Sequence, residues 1–145
     1  MDISIKVMNF EKERWLVTSA LPYVNNIPHV GNIVGSHLPA DIFVRFLRLF
    51  GEDVVFIGGT DEHGSPTEVA AFQAGLTPKA LCDKLFVVHK LIYDWLGISY
   101  DNFSRTSKEV NHIVTVDTFL KLLKNGFIIK KKLLLPYCRT DKRFL

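Results

Sequence analysis

The sequence has few cysteines, no long apolar run and no apolar leader. Two cysteines among 145 residues exclude a disulfide-built scaffold and are typical of a reducing compartment. The first residues lack the apolar stretch of a signal peptide, and no segment approaches the ~20 apolar residues that cross a bilayer. Since 48% of the residues are hydrophobic, the chain can bury the core of one domain. We expect a soluble, cytoplasmic chain with no membrane partner.

Positive charge is concentrated near the end of the sequence. Residues 120–145 contain eight Lys or Arg and one Asp, whereas residues 1–119 contain 10 basic and 14 acidic side chains. A basic segment on an acidic body is compatible with a surface that contacts phosphate. It is also compatible with a solvated surface that ends in a hairpin, and charge alone favours this second interpretation.

Apolar runs and turn residues predict alternating strands and helices. The predicted strands cover residues 14–20, 53–57, 98–103 and 127–135. The predicted helices cover residues 31–50, with a kink or restart at Pro39, then 65–75, 78–97 and 106–126. This alternation predicts an α/β fold with a parallel, doubly wound sheet, in which ligands bind beyond the carboxyl ends of the strands. The loops at residues 20–31 and 58–64 both follow predicted strands and form the candidate site.

Helical spacing predicts which side chains are buried. The predicted core positions of the first helix are Ile33, Val34, Leu38, Ile42, Phe46 and Leu49, with Arg45 and Arg48 outside. Those of the two long later helices are Leu81, Leu85, Val88, Leu91, Ile92, Trp95, Ile113, Val116, Phe119, Leu120 and Leu123. Capping boxes are predicted at Ser65–Glu68 and Thr106–Glu109. We expect Cys82 in the core, and His37, His89 and His112 at the surface or its boundary.

The first candidate loop ends in Pro28-His29-Val30-Gly31-Asn32, at the start of a predicted helix. The sequence contains neither G-x-G-x-x-G nor G-x-x-x-x-G-K-[ST], which excludes the common dinucleotide and P-loop signatures. A helix N-terminus still offers unpaired N–H groups and a positive dipole end to a phosphate. An imidazole and a carboxamide three residues apart can contact one anion. Taken alone, however, H-x-G-N is more often a histidine that caps a turn.

The surroundings of H-x-G-N make it more specific. The segment from Ser19 to Asn32, SALPYVNNIPHVGN, resembles the N-terminal signature of the methionyl-tRNA synthetases, which are class I enzymes, and GGTDEHG at 58–64 resembles their second active-site segment. The resemblance implies the Rossmann-like nucleotide-binding fold of class I aminoacyl-tRNA synthetases, of which only the N-terminal half is present. It assigns residues 1–13 to an N-terminal extension, 14–129 to that half, and 130–145 to the start of a connective insertion.

The same resemblance implies a methionine–tRNA ligase, which activates methionine with ATP to methionyl-adenylate and transfers it to tRNA(Met). The implied substrates are methionine, tRNA(Met) and ATP with Mg²⁺. The implied roles are catalysis and ATP phosphate contact for His29 and Asn32, adenine contact for Gly31, the methionine side-chain pocket for Ala20, Leu21 and Tyr23, and the methionine ammonium group for Asp61. Glu62 and His63 suggest a metal cluster by type alone, but we expect a structural hydrogen bond for His63.

Two departures from the family pattern limit these expectations. The sequence has Cys138-x-x-Asp141 where the family often has C-x-x-C, and one thiolate cannot form a four-ligand zinc site, so we expect no zinc here. The family's K-M-S-K-S signature is absent. We therefore expect a catalytically incomplete chain with a complementing C-terminal half, or an edge-mediated homodimer. A fragment, a truncated gene product and one part of a split enzyme all remain open.

Two other functions are compatible with parts of the sequence. A non-catalytic, synthetase-like module that binds RNA or a partner protein would use the basic segment at 121–143. A stand-alone adenylyltransferase of the same superfold would use H-x-G-H on a pantetheine or nicotinamide substrate. The A-L-P-Y segment and the G-G-T-D-E-H-G loop argue against the adenylyltransferase, whereas the basic segment leaves the binding module open.

Overall fold

The computed structural model describes residues 14–140 and 143–144. They form two compact units, the first extending to Glu109 and the second beginning at Val110. The strands are β1 (Arg14–Thr18), β2 (Asp53–Thr60), β3 (Asn102–Arg105), β4 (Tyr137–Cys138) and β5 (Arg143–Phe144). The helices are α1 (Val30–Asn32), α2 (Leu38–Leu49), α3 (Ser65–Gln73), α4 (Pro78–Trp95) and α5 (Glu109–Lys124), and a π-helical turn (Ile33–His37) joins α1 to α2. The predicted extension at 1–13 lies outside the described residues.

The first unit contains a three-stranded parallel sheet in the order β1-β2-β3. Helices lie between consecutive strands along the chain, which confirms the predicted α/β class. Sequential strand order is that of one half of a doubly wound sheet. The core combines Val44 of α2, Phe56 of β2, Tyr93 of α4 and Ile98, all buried.

β2 is longer than predicted and β3 begins later. Gly58, Gly59 and Thr60 continue β2 and pair with β3, so the predicted loop at 58–64 is a loop only from residue 61. Gly59 permits this pairing, because a Cβ there would lie 2.8 Å from the backbone oxygen of Ser104. The predicted strand at 98–103 is wrong in its first half, since the Ile98 N–H donates to the Tyr93 carbonyl and completes the end of α4.

The predicted core face of the first helix is wrong except at Ile33, which is partly buried against the core. The buried side chains are His37, Asp41, Val44 and Leu47, whereas Leu49 is 86% exposed. The exposed side forms an apolar stripe of Val34, Leu38, Ile42, Phe46 and Leu49. The reason is that polar side chains on the buried face of this helix form hydrogen bonds with residues of other segments. Asp41 accepts hydrogen bonds from the N–H and hydroxyl of Ser99, both at 2.6 Å.

Of the two arginines predicted to lie outside, Arg45 is exposed, as expected, and Arg48 is not fully exposed. Arg48 is only half-exposed and its guanidinium lies 2.7 Å from the Asp101 carboxylate. Arg45 donates to Asp41 at 2.7 Å. Burial alone would raise the pKa of Asp41, but hydrogen bonds from Ser99 and Arg45 outweigh it and hold that pKa below its ordinary value. The helix therefore buries a stabilised carboxylate where apolar periodicity predicted an outer face.

The helix starts and later segments differ from the prediction in detail. Gly64, not Ser65, is the N-cap of α3, and its φ of 111° suits glycine. Thr77 caps α4 as the sequence predicts. α5 begins at Glu109, three residues after the predicted cap Thr106, whose hydroxyl accepts from the Glu62 N–H at 2.9 Å. Within α4, Leu91 and Trp95 are exposed, against the prediction, while Leu81 is buried.

The second unit contains most of α5 and the antiparallel pair β4–β5. The predicted core positions of α5 are wrong as well, because Ile113, Val116, Phe119, Leu120 and Leu123 are all exposed. The predicted strand at 127–135 is irregular in the part of the chain that is described. Three consecutive lysines, Lys130 to Lys132, interrupt its apolar pattern.

Candidate functional site

A cleft of about 640 Å³ lies where β1 ends and α1 begins. It is bordered mainly by the segment that joins them, residues 19–29, which we name the cleft loop. The lining includes Ala20, Leu21, Tyr23, His29, Gly31 and Asn32, six of the seven predicted site residues. It also includes Ser36, His37 and His89, which the sequence analysis did not assign to a site. The position beyond the carboxyl end of a parallel strand is where such sheets bind ligands.

His29 and Asn32 form a reciprocal capping box at the start of α1. The Asn32 N–H donates to His29 Nδ1 at 3.3 Å, and the His29 N–H donates to Asn32 Oδ1 at 3.2 Å. A ring nitrogen that accepts a hydrogen bond carries no proton, so the imidazole proton is on Nε2. The Asn32 carboxamide retains its two Nδ2 hydrogens. Each of the two side chains therefore keeps an N–H donor that the capping box does not use, and both side chains are partly or fully exposed.

Gly31 is required by the closeness of the His29 ring. A Cβ at position 31 would lie 2.9 Å from His29 Cε1 and 3.0 Å from Nδ1. A larger residue would displace the imidazole, whose Nδ1 already lies 3.3 Å from the Asn32 N–H. The adenine contact implied for Gly31 stays a prediction, but its packing against the imidazole gives H-x-G-N a structural reason for glycine.

Asp61 lies beside the cleft loop rather than in the lining. Its N–H donates to the Pro22 carbonyl at 2.9 Å, and its carbonyl accepts from the Val24 N–H at 3.0 Å. These two bonds form a parallel bridge between Asp61 and Tyr23. The half-buried carboxylate has long contacts, 3.4 Å from the His63 N–H and 3.5 Å from the Thr106 hydroxyl. The Asp61 carboxylate therefore forms only long hydrogen bonds with the described residues, and it could pair with a bound cation.

Glu62, next in the chain, has a structural role. Its buried carboxylate accepts from Arg105 at 2.6 Å, from the Thr60 hydroxyl at 2.9 Å and from Ser107. Arg105 also lies 2.7 Å from the Asp83 carboxylate. No group of three or more His, Cys, Asp or Glu side chains suited to a metal exists among the described residues.

Two buried histidines lie at the cleft, and the expectation that they are surface or boundary residues is wrong. His37 and His89 are each 1% exposed. His89 Nε2 donates to the Asn26 carbonyl at 2.8 Å. His37 Nδ1 lies 2.5 Å from the Tyr100 hydroxyl and Nε2 lies 3.0 Å from the Tyr93 hydroxyl. His37 continues the buried series of Asp41, Val44 and Leu47 at helical intervals, but this series is half polar, so apolar spacing gave no signal for it.

Burial sets the charge of both imidazoles. It lowers the pKa of His37 from 6.5 to about 4, with a smaller contribution from His89. Burial also lowers the pKa of His89, although the hydrogen bond to the Asn26 carbonyl opposes this. Both rings are therefore neutral near pH 7. For His89, the proton on Nε2 leaves Nδ1 as a buried acceptor with no partner among the described residues.

The two cysteines differ in environment. Cys82 is buried as predicted, its thiol lies 3.9 Å from the Glu62 carbonyl, and burial raises its pKa. Cys138 is half-exposed in β4, and neither cysteine is in a disulfide. The absence of zinc from this chain stays a prediction. No helix in the described part of the chain has the length and apolar character needed to span a bilayer.

The fold is that of the class I aminoacyl-tRNA synthetases. A solved structure of "Mycobacterium tuberculosis methionyl-tRNA synthetase in complex with methionyl-adenylate" matches with a TM-score of 0.82 and 33% identity, over 92% of this chain and 26% of that one. Residues 15–145 match the family described as tRNA synthetases class I (M), and the chain belongs to that family.

Curated relatives agree with the family. A methionine–tRNA ligase of Ignicoccus hospitalis is 49% identical over 132 residues, covering 91% of this chain and 24% of the relative. A cytoplasmic methionine–tRNA ligase of Caenorhabditis elegans is 46% identical, covering 92% of this chain and 15% of the relative. The chain thus spans a quarter or less of the length of these relatives.

Proposed function

We propose that this chain supplies the first part of a methionine–tRNA ligase active site, which activates methionine with ATP and serves aminoacylation of tRNA(Met). The observation that carries the proposal is the H-x-G-N capping box at the cleft, with Asp61 joined to Tyr23 by a backbone bridge. Relatives named methionine–tRNA ligases and a solved neighbour with methionyl-adenylate support the choice of amino acid. Relatives described as cytoplasmic support the same location for this protein.

The capping box suits phosphate activation. A methionine carboxylate oxygen attacks the α-phosphorus of ATP, the bond from that phosphorus to the bridging oxygen breaks, and pyrophosphate leaves. No general base is needed, because a carboxylate is already ionised at pH 7. Negative charge grows on the phosphate oxygens in the transition state, where fixed donors are most effective. The Nε2–H of His29 and the Nδ2 hydrogens of Asn32 are such donors, and Mg²⁺ bound to ATP would supply further positive charge.

The amino-acid end lies on the other side of the cleft loop. Ala20 and Leu21 border the cleft with apolar groups, and Tyr23 adds an aromatic ring. Asp61 is placed to pair with the ammonium group of methionine. Truncating one partner of such a charge pair typically costs about 2–5 kcal/mol of binding.

Catalysis requires more chain than these residues. The apolar stripe at 34–49 is exposed among the described residues, and the chain covers only 24% of the Ignicoccus hospitalis relative. We therefore propose that a C-terminal half completes the site. Pairing of two copies through an edge strand of the sheet is the competing arrangement.

The test is methionine-dependent ATP–pyrophosphate exchange by a full-length enzyme that carries these residues. Asp61→Asn should raise the KM for methionine much more than that for ATP. Asp53→Asn is the matched control, because Asp53 begins β2 whereas Asp61 directly follows the other end of that strand. Equal, small changes in both KM values would remove Asp61 from the site.

The same assay tests the capping box. His29→Ala should lower kcat by about 10²-fold or more with little change in KM, because its contact strengthens in the transition state. Loss of ATP affinity at unchanged kcat would contradict a transition-state role. The 145-residue chain alone should show no exchange, and robust exchange by it would refute the need for a second half.

A further inference from the structure

The cleft loop is tied to the protein body near both of its ends by buried imidazoles. Near its end, the Asn26 carbonyl accepts from His89 Nε2 at 2.8 Å. At its start, the Ser19 hydroxyl lies 2.7 Å from the Tyr100 hydroxyl, which lies 2.5 Å from His37 Nδ1. Neither histidine has a role in the chemistry proposed above, and both border the cleft.

The His89 contact controls the segment that leads into H-x-G-N. Asn26 is further fixed because its Oδ1 accepts from the Ile27 N–H at 2.8 Å. Pro28, which is buried, has a restricted φ, and the His29 N–H is held by the capping box. Because few backbone torsions between Asn26 and His29 are free to rotate, a shift of the Asn26 carbonyl should also shift the His29 ring.

The His37 contact controls the other end of the cleft loop. Ser19 follows β1 and directly precedes Ala20, whose N–H donates to the Ser36 hydroxyl at 2.8 Å. Tyr100 is held by packing, since a Cβ at Gly58 would lie 2.3 Å from its ring. Ser19 and Ala20 are thus fixed by side chains that belong to two other segments of the first unit.

We propose that His89 and His37 are positioning residues that act on different substrates: His89 sets the ATP end of the cleft loop through Asn26, and His37 sets the methionine end through Tyr100 and Ser19. The proposal rests on the proposed function for the identity of the substrates. Both imidazoles must be neutral for this role. A protonated His89 would place an N–H donor at the buried Nδ1 position, where the described residues offer no acceptor. The middle of the loop is held by Asp61 and does not depend on either histidine.

The chain offers a matched control. Tyr93→Phe and Tyr100→Phe each remove one hydroxyl that contacts His37, at 3.0 Å and 2.5 Å. Only the second of these hydroxyls also contacts Ser19 among the described residues. A purely structural role for His37 predicts similar effects of both variants, whereas positioning through Tyr100 predicts an effect of Tyr100→Phe alone.

The first arm measures exchange kinetics in a full-length enzyme that carries these residues. His89→Leu should raise the KM for ATP about tenfold, the change expected from one lost buried hydrogen bond, and leave the KM for methionine within about twofold. His89→Gln, which keeps a side-chain N–H donor, should recover most of the loss. Tyr100→Phe should raise the KM for methionine, and Tyr93→Phe should change neither KM.

The second arm needs no activity. Backbone amide signals in ¹⁵N–¹H NMR spectra of the 145-residue chain should shift at His29 and Asn32 in His89→Leu and His89→Gln, more in the former, and stay in place in Tyr93→Phe. Unchanged amide signals in both His89 variants, or equal shifts in Tyr93→Phe, would overturn the proposal. So would equal changes of both KM values in His89→Leu. A wild-type enzyme without methionine-dependent exchange, with the amide shifts present, would instead overturn the proposed function and leave His89 as the anchor of the loop.

Discussion

Gly58→Ala is the substitution that most directly tests the packing beneath the cleft. Gly58 continues β2 and faces the ring of Tyr100 so closely that a Cβ would lie 2.3 Å from Cε1 and 2.5 Å from Cζ. Real Cβ atoms do not approach ring atoms to such distances, so the tyrosine must move. Its hydroxyl would then leave Ser19 and His37.

The expected cost follows from these two consequences. Forcing one extra methyl group into a packed core typically costs about 1–3 kcal/mol. Leaving buried polar partners unpaired costs about 1–3 kcal/mol more. The free energy of unfolding should therefore fall by about 2–6 kcal/mol, a large part of the 5–15 kcal/mol typical of a folded domain. Gly35→Ala is the control, because a Cβ there meets nothing within 4 Å among the described residues.

Urea unfolding followed by circular dichroism measures both variants. Gly35→Ala should be neutral or more stable by up to about 1 kcal/mol, since alanine is the better helix former. Combining Gly58→Ala with Tyr100→Leu should recover much of the packing cost, which a double-mutant cycle would reveal as a coupling energy. If Gly58→Ala is as stable as the wild type, or costs the same without the Tyr100 ring, the close packing described here is wrong.

Two further predictions concern buried ionisable groups. Since the unfolded chain binds a proton at His37 near pH 6.5 and the folded chain only near pH 4, stability should fall by about 3 kcal/mol as the pH decreases through this window. Urea unfolding at several pH values should show a flatter slope for His37→Gln, and an unchanged slope would contradict this. Arg105→Met should cost about 3–5 kcal/mol by leaving the Glu62 carboxylate buried and unpaired, and adding Glu62→Gln should recover part of that loss in thermal unfolding.

Local sequence patterns predicted the strand–helix order and the cleft well. β1 and β2 begin at the predicted residues, and α4 begins at the Thr77 cap. The cleft residues were found because motif and topology agree: H-x-G-N follows a strand and starts a helix. These features depend on neighbours within a few residues, which a sequence pattern can reveal.

Burial was predicted poorly because it depends on distant partners. Asp41 is buried because Ser99, 58 residues away, donates two hydrogen bonds to it. His37 is buried because two tyrosines from elsewhere in the chain reach it. Apolar periodicity cannot detect such pairs, and it assigned the exposed stripe of Ile42 and Phe46 to the core. The same limit explains why the buried histidines were not foreseen at the cleft.

The π-helical turn accommodates one extra residue between the capping box and α2. The Leu38 N–H bonds to the Ile33 carbonyl, five residues back, so the turn holds one residue more than an α-helical turn would. Deleting a single codon between 33 and 37 would therefore restore regular helix and leave the later helical residues on nearly the same face. Asp41 would still face Ser99, and the same side of α2 would meet the sheet. The same deletion inside α2 would rotate every later residue of that helix by about 100°, so a one-residue deletion should be better tolerated in the π-helical turn than in α2.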